Sequence, residues 1–150
     1  MKPCRLAILT LIFGLTACAA PEQPLPGTRA AATTNLYQQL GELPGITRIV
    51  EEMLINIAED QRIVHYFVDS DIDRLNEKLI EQLCVESGGP CTYTGDSMAD
   101  SHAGMGVTEG DFNALVENLL MAMEAQGVPT AAQNRLIARL APMRGDIIYR

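Results

Sequence analysis

Few side chains here can do chemistry, and their spacing limits what that chemistry is. The 150 residues include two histidines and four cysteines. His102 closes the run Met98-Ala99-Asp100-Ser101 and precedes Ala103-Gly104-Met105-Gly106. A lone imidazole serves as one metal ligand or as a proton carrier near neutral pH. Two histidines leave almost no room for a multi-histidine metal site. His65 stands before Tyr66-Phe67, and a lone histidine is more often a surface or core residue than a ligand. Cys84 and Cys91 flank the turn-rich stretch Val85-Glu86-Ser87-Gly88-Gly89-Pro90. In an oxidising compartment they could pair across that turn; otherwise they remain thiols. CxxC spacing is absent, which argues against a redox motif or a zinc ribbon. Gly104-x-Gly106 neither follows a strand nor extends into a dinucleotide fingerprint. The acid pairs Glu51-Glu52 and Asp71/Asp73 read as solvated helix faces or caps. No catalytic triad is visible.

Composition sets outer limits. The chain is 47 % hydrophobic and 20 % charged, with a net charge of −8. That suits one globular domain with one core and excludes a disordered chain. The acidic balance argues against nucleic acid as a partner, because phosphate binding needs a basic face.

Residues 1–17 carry Lys2 and Arg5, then a mostly apolar run from Leu6 to Leu15. That run is too short for a membrane span, which needs roughly 20 residues; a secretory signal fits it. Leu15-Thr16-Ala17-Cys18 resembles a bacterial lipobox, which implies cleavage before Cys18 and its lipidation. Removing residues 1–17 makes the net charge more negative by two. Residues 18–34 are rich in Pro, Ala and Thr and read as a flexible tether. The expected product is a lipoprotein, membrane-anchored through Cys18 and facing the periplasm or the cell exterior. Its folded domain spans 35–150.

That domain reads as helical throughout. Ile46, Ile49, Val50, Met53, Leu54 and Ile57 recur with helical period, and Pro44-Gly45 punctuates the start. Asp71 could cap a second helix, with Ile72, Leu75, Leu79 and Leu83 inward. Thr108 precedes a third, lined by Phe112, Leu115, Val116, Leu119, Leu120 and Met123 and ended by Gly127-Val128-Pro129. Thr130 and Gln133 suggest a capping box for a fourth, with Leu136, Leu140, Met143 and Ile147 inward and a kink at Pro142. Between the helix pairs lie a long polar stretch, 86–97, and the piece 98–106. The latter is too short for a stable helix by itself, yet it carries His102. An external ligand held by that histidine would explain it.

Together these stretches resemble the group 1 truncated globins. The matching motifs are Leu36-Tyr37-Gln38-Gln39-Leu40-Gly41, Tyr66-Phe67, Gly88-Gly89-Pro90, Tyr93-Thr94-Gly95, His102-Ala103-Gly104-Met105-Gly106-Val107-Thr108 and Gly127-Val128-Pro129. The resemblance implies an all-α, two-over-two helical sandwich around one haem b. It makes His102 the proximal iron ligand, and imidazole binds haem iron as the neutral base. It sets Phe67 against the haem face and Leu75, Leu79, Met98, Val107, Phe112 and Leu115 along the haem. Lys78 would reach a propionate and Tyr93 the cofactor edge.

The chain departs from the family at three positions. Many members carry a Tyr on the first long helix and Gln at one or both of two sites on the second. Leu54, Leu75 and Leu79 stand there and form the expected distal pocket, with no hydrogen-bond donor. Oxygen storage and tight O2-dependent NO dioxygenation are therefore not expected. The leading function is reversible binding of a diatomic gas, O2, NO or CO, rather than enzymatic turnover. The alternatives are a haem enzyme, peroxidase-like or NO-oxidising, and a haemless globin-fold binding module.

Overall fold

The computed structural model describes residues 35–150. The expected signal peptide, Cys18 and the tether lie outside the described residues.

Among the described residues, six α-helices carry the fold. They are α1 (Leu36–Gln39), α2 (Glu42–Glu59), α3 (Ile72–Glu86), α4 (Met98–Ser101), α5 (Glu109–Ala125) and α6 (Thr130–Leu140). Two 3-10 segments, Val64–Tyr66 and Ala141–Asp146, complete the list. Polar caps set several starts by satisfying amide groups that have no partner within the helix. The Asn35 side chain accepts from the Gln38 amide, the Asp71 side chain from that of Arg74, and the Thr108 hydroxyl from that of Asp111. Thr108 and Asp111 make a reciprocal capping box.

The two pairs α2/α3 and α5/α6 lie one over the other, the all-α, two-over-two arrangement. The buried face of α2, formed by Ile46, Ile49, Val50, Met53 and Ile57, packs against α5 and α3. Ala114, Ala122 and Met123 on α5 and Ala132 and Leu136 on α6 are buried completely in the same core.

The ends of α6 differ from expectation. Thr130 lies inside the helix, Pro129 is its N-cap, and no side chain caps it. Gln133 is buried and donates from Nε2 to the Val128 carbonyl at 2.9 Å. A capping box needs an N-cap hydroxyl, and the residue at that position is proline. Pro142 does not kink a continuing helix. The α-helix ends at Leu140 and the chain tightens into the 3-10 segment, with proline in its first turn, where its missing N–H costs nothing.

Candidate functional site

His102 is presented by a single helical turn. The Ser97 hydroxyl accepts the Asp100 amide at 3.1 Å and donates to the Asp100 carboxylate at 2.6 Å, closing α4 at its start. His102 follows as the C-cap, and its side chain is half-buried. Its Nδ1 lies 2.7 Å from the Met98 carbonyl oxygen. A carbonyl can only accept, so Nδ1 carries the proton, and in the neutral imidazole the lone pair is on Nε2. The segment after it is fastened at the far end of the chain. The Gly106 amide donates to the Arg150 carbonyl at 3.0 Å, and the Tyr149 amide to the Val107 carbonyl at 2.8 Å. Gly106 does this at φ +64°, a conformation that costs glycine little. Val107 is buried.

Leu75, Lys78, Leu79 and Gln82 follow one another at helical spacing on one face of α3. Leu75 and Leu79 are half-buried, as are Leu54, Phe67, Met98, Phe112 and Leu115. Leu54, Phe67, Leu79 and Leu115 pack against the core from outside. Leu54 and Phe67 meet in an apolar cavity of about 210 Å³, completed by Ile57, Ala58, Val64, Val68 and Ile72. Leu75, Leu79 and His102 are not among its walls. Ile72, expected inward, is 47 % exposed at the rim. It is the first residue of α3, ahead of the turns that reach the core. A recess of about 530 Å³, lined by Asn35, Leu36, Ser87, Gly88, Arg135, Ala138 and Arg139, contains none of the expected site residues.

Polar groups fix the site's edges. Lys78 Nζ donates to Glu77 at 2.9 Å, Glu81 at 3.2 Å and Thr94 Oγ1 at 2.6 Å. The Glu77 and Glu81 carboxylates raise the Lys78 pKa. Glu81 also accepts the Thr94 amide at 2.9 Å, the main reason its own pKa is lowered. Lys78 is therefore already paired. Tyr93 donates to the Asp96 carbonyl at 2.9 Å, and burial pushes its pKa up. A disulfide joins Cys84 and Cys91, with Cα atoms 5.9 Å apart, and ties the end of α3 to the strap leading to Tyr93 and Thr94. The Tyr66 hydroxyl donates to the Asp111 carboxylate at 2.9 Å, which locks the 3-10 turn preceding Phe67 to the start of α5. His65 is exposed and stacks on Tyr66 with centroids 4.1 Å apart.

Sequence reasoning missed Gln82, Glu81 and Thr94. Gln82 lies seven residues after Leu75, on the same helical face, and that register was a readable signal. The Glu81–Thr94 pairing had no local signal.

The residues fit a haem. No group of three or more His, Cys, Asp or Glu side chains suited to a bare metal ion occurs among the described residues. A metal on His102 would thus bring its other ligands with it, as a macrocycle does. The imidazole spends Nδ1 on a backbone carbonyl, and apolar side chains on α2, α3 and α5 stop short of full burial. Lys78 offers a cation suited to a carboxylate on the cofactor's rim. The 210 Å³ cavity is below the roughly 300–1,000 Å³ of a drug-sized site and suits a small apolar ligand.

The chain is similar to several known proteins. A group 1 truncated hemoglobin (GlbN) of Mycolicibacterium paratuberculosis is 28 % identical over 119 residues, covering 79 % of this chain and 88 % of the relative. One from Tetrahymena pyriformis is 27 % identical over 114 residues, covering 76 % of this chain and 94 % of the relative. The crystal structure of a truncated hemoglobin from Tetrahymena pyriformis in its Fe(III) form superposes with a TM-score of 0.76 at 26 % identity, covering 78 % of this chain and 100 % of that one. Structures of that protein with one tyrosine or either of two glutamines replaced match equally well. The bacterial-like globin profile matches residues 35–149, and with this helical order and histidine the chain belongs to the bacterial-like globins.

Proposed function

We propose that this protein is an envelope lipoprotein with a haem-binding globin domain that binds O2, NO or CO reversibly in a pocket without hydrogen-bond donors. The observation that carries the haem reading is the 2.7 Å contact of His102 Nδ1 with the Met98 carbonyl. In the neutral imidazole it fixes the tautomer and leaves the lone pair on Nε2, the arrangement a metal-ligating histidine needs. Haem, when bound, would supply the iron that takes the diatomic gas.

The chain's residues do the rest. His102 holds the iron through Nε2. Phe67, Leu75, Leu79, Met98, Val107, Phe112 and Leu115 exclude water from the macrocycle. Lys78 neutralises a carboxylate once it lets go of Glu77 or Glu81, and Tyr93 closes the edge.

Leu54, Leu75 and Leu79 form the gas side and offer no donor. The tyrosine and two glutamines replaced in the Tetrahymena pyriformis structures stand at the same mutual separations along that chain as these three leucines do here. Were haem bound, a donor in this pocket would favour O2 more than CO, because the more polarised ligand gains more from a preorganised hydrogen bond. A lost hydrogen bond forfeits about 0.5–1.5 kcal/mol, or up to about 3 with charge. The pocket therefore favours CO and NO over O2 relative to a donor-lined one.

The test is the absorbance spectrum of the purified protein. A Soret band in wild type that His102→Ala abolishes supports the reading; a protein that takes up no haem refutes it. The anchor is tested separately. Cys18→Ala should move the protein from the membrane fraction to the soluble one.

A further inference from the structure

Gln82 sits on the same face of α3 as Leu75, Lys78 and Leu79, and its amide has unusual partners. Nε2 lies 3.4 Å from the Met98 Sδ and 3.3 Å from the Met143 Sδ. Met98 is the first residue of α4, and Met143 belongs to the C-terminal 3-10 segment. One amide thus bridges three elements. Thioethers are weak acceptors, and an amide in half-buried surroundings is costly unless partnered. A leucine would fill this position without that cost, so the amide has a use.

Met98 shows what the use is. Its side chain takes the Gln82 amide, and its carbonyl takes the His102 Nδ1–H at 2.7 Å. Helix α4 has only four residues, so its position must come from tertiary contacts rather than from its own hydrogen bonds. The neighbour it packs against is the 3-10 segment that carries Met143.

We infer that Gln82 is a positioning residue for His102, acting through Met98. By holding the side chain of Met98 it fixes the carbonyl that sets the imidazole's tautomer and direction. The inference rests on the haem reading for its consequence, but not for its geometry, so the experiment has two arms.

In the first, haem-free protein is labelled with 15N at histidine. The wild-type His102 ring should show a proton held on Nδ1. Gln82→Met, equal in length but without the N–H, should shift the ring toward a mixture of tautomers. So should Met98→Leu, which keeps the backbone carbonyl and removes the sulfur. In the second arm, haem-loaded proteins are compared for the iron–imidazole stretching band and for haem loss to a scavenging globin. Each variant should shift the band and speed haem loss three- to tenfold. The double variant should be no worse than the worse single, because both break one chain of contacts.

A pure packing role predicts faster haem loss in proportion to lower melting temperature, with tautomer and band unchanged; that result overturns the inference. So do singles whose effects multiply in the double. Should Gln82→Met fail to fold, Met98→Leu is decided by the same readouts, and an unchanged tautomer overturns the inference. If wild type takes up no haem but the tautomer still responds, the haem reading falls and the positioning role stands.

Discussion

On the proposed reading, Leu54 stands where a single hydroxyl would change the gas chemistry. It is half-buried and faces an apolar cavity, so a larger ring at this position has space to enter. Leu54→Tyr should slow O2 dissociation about tenfold, because one hydrogen bond is worth about 0.5–1.5 kcal/mol and 1.4 kcal/mol is a factor of ten. CO dissociation should change little. Flash photolysis of both ligands checks this, and equal slowing of both would mean that the tyrosine acts by blocking exit rather than by donating. The site residues divide by how they can be read. His102 is legible because it stands in an ordered motif with glycines behind it. The pairing of Lys78 is not, because Thr94 lies sixteen residues away and reaches it only after the loop folds back. Leu54 and Phe67 share a cavity wall, and Phe67 stays partly exposed where an ordinary core aromatic would be buried.

Elements whose signals are local were legible. Apolar period located α2, α3 and α5, with Asp71 capping as expected and Thr108, read only as preceding its helix, found as the N-cap of α5. The start of α6 was not, because a hydroxyl and an amide at the right spacing look like a capping box whether or not the chain enters the helix one residue earlier. The strap between α3 and α4 is held by covalent and steric means. A Cβ on Gly89 would come within 2.6 Å of Cys84 Sγ and of the Tyr37 ring. Gly89→Ala therefore forces apart the disulfide and α1, and it should cost about 1–3 kcal/mol in urea unfolding, the usual penalty of overpacking. Cys84→Ser with Cys91→Ser should cost about 2–4 kcal/mol. It should also free Tyr93 and Thr94 to exchange amide protons faster, while the amides of α2 keep their protection. Loss of protection in α2 as well would show that the bridge supports the whole core rather than the strap.

Carboxylates at the junctions between elements make the molecule's stability depend on pH. Asp60, the C-cap of α2, accepts from Arg62 and from the buried Asn118 of α5, at 2.8 Å in the latter case. Arg62 first and Asn118 second hold its pKa far below the usual carboxylate range. Asp111 joins the 3-10 turn to α5, and the Thr108 hydroxyl is the main reason its pKa is lowered. Glu81 joins α3 to the strap and is lowered chiefly by the Thr94 amide. All three are lowered on folding, so each contributes stability that is present above its unfolded value, 3.8 for Asp60 and Asp111 and 4.5 for Glu81. That contribution disappears as pH falls through the folded values. Lys78 has the opposite sign. Its pKa is raised, so its contribution is complete below 10.5 and is lost as pH rises through the folded value. Haem-free protein, which has no iron–histidine bond to titrate, should show a urea midpoint that is flat from about pH 5 to pH 9 and falls on the acid side. Asp60→Asn should lower the neutral plateau and flatten the acid limb, so that the gap between the two proteins narrows as pH falls below about 4. A variant whose acid limb runs parallel to wild type would show that Asp60 titrates alike in both states, and that the Arg62–Asp60–Asn118 chain contributes nothing beyond its shape.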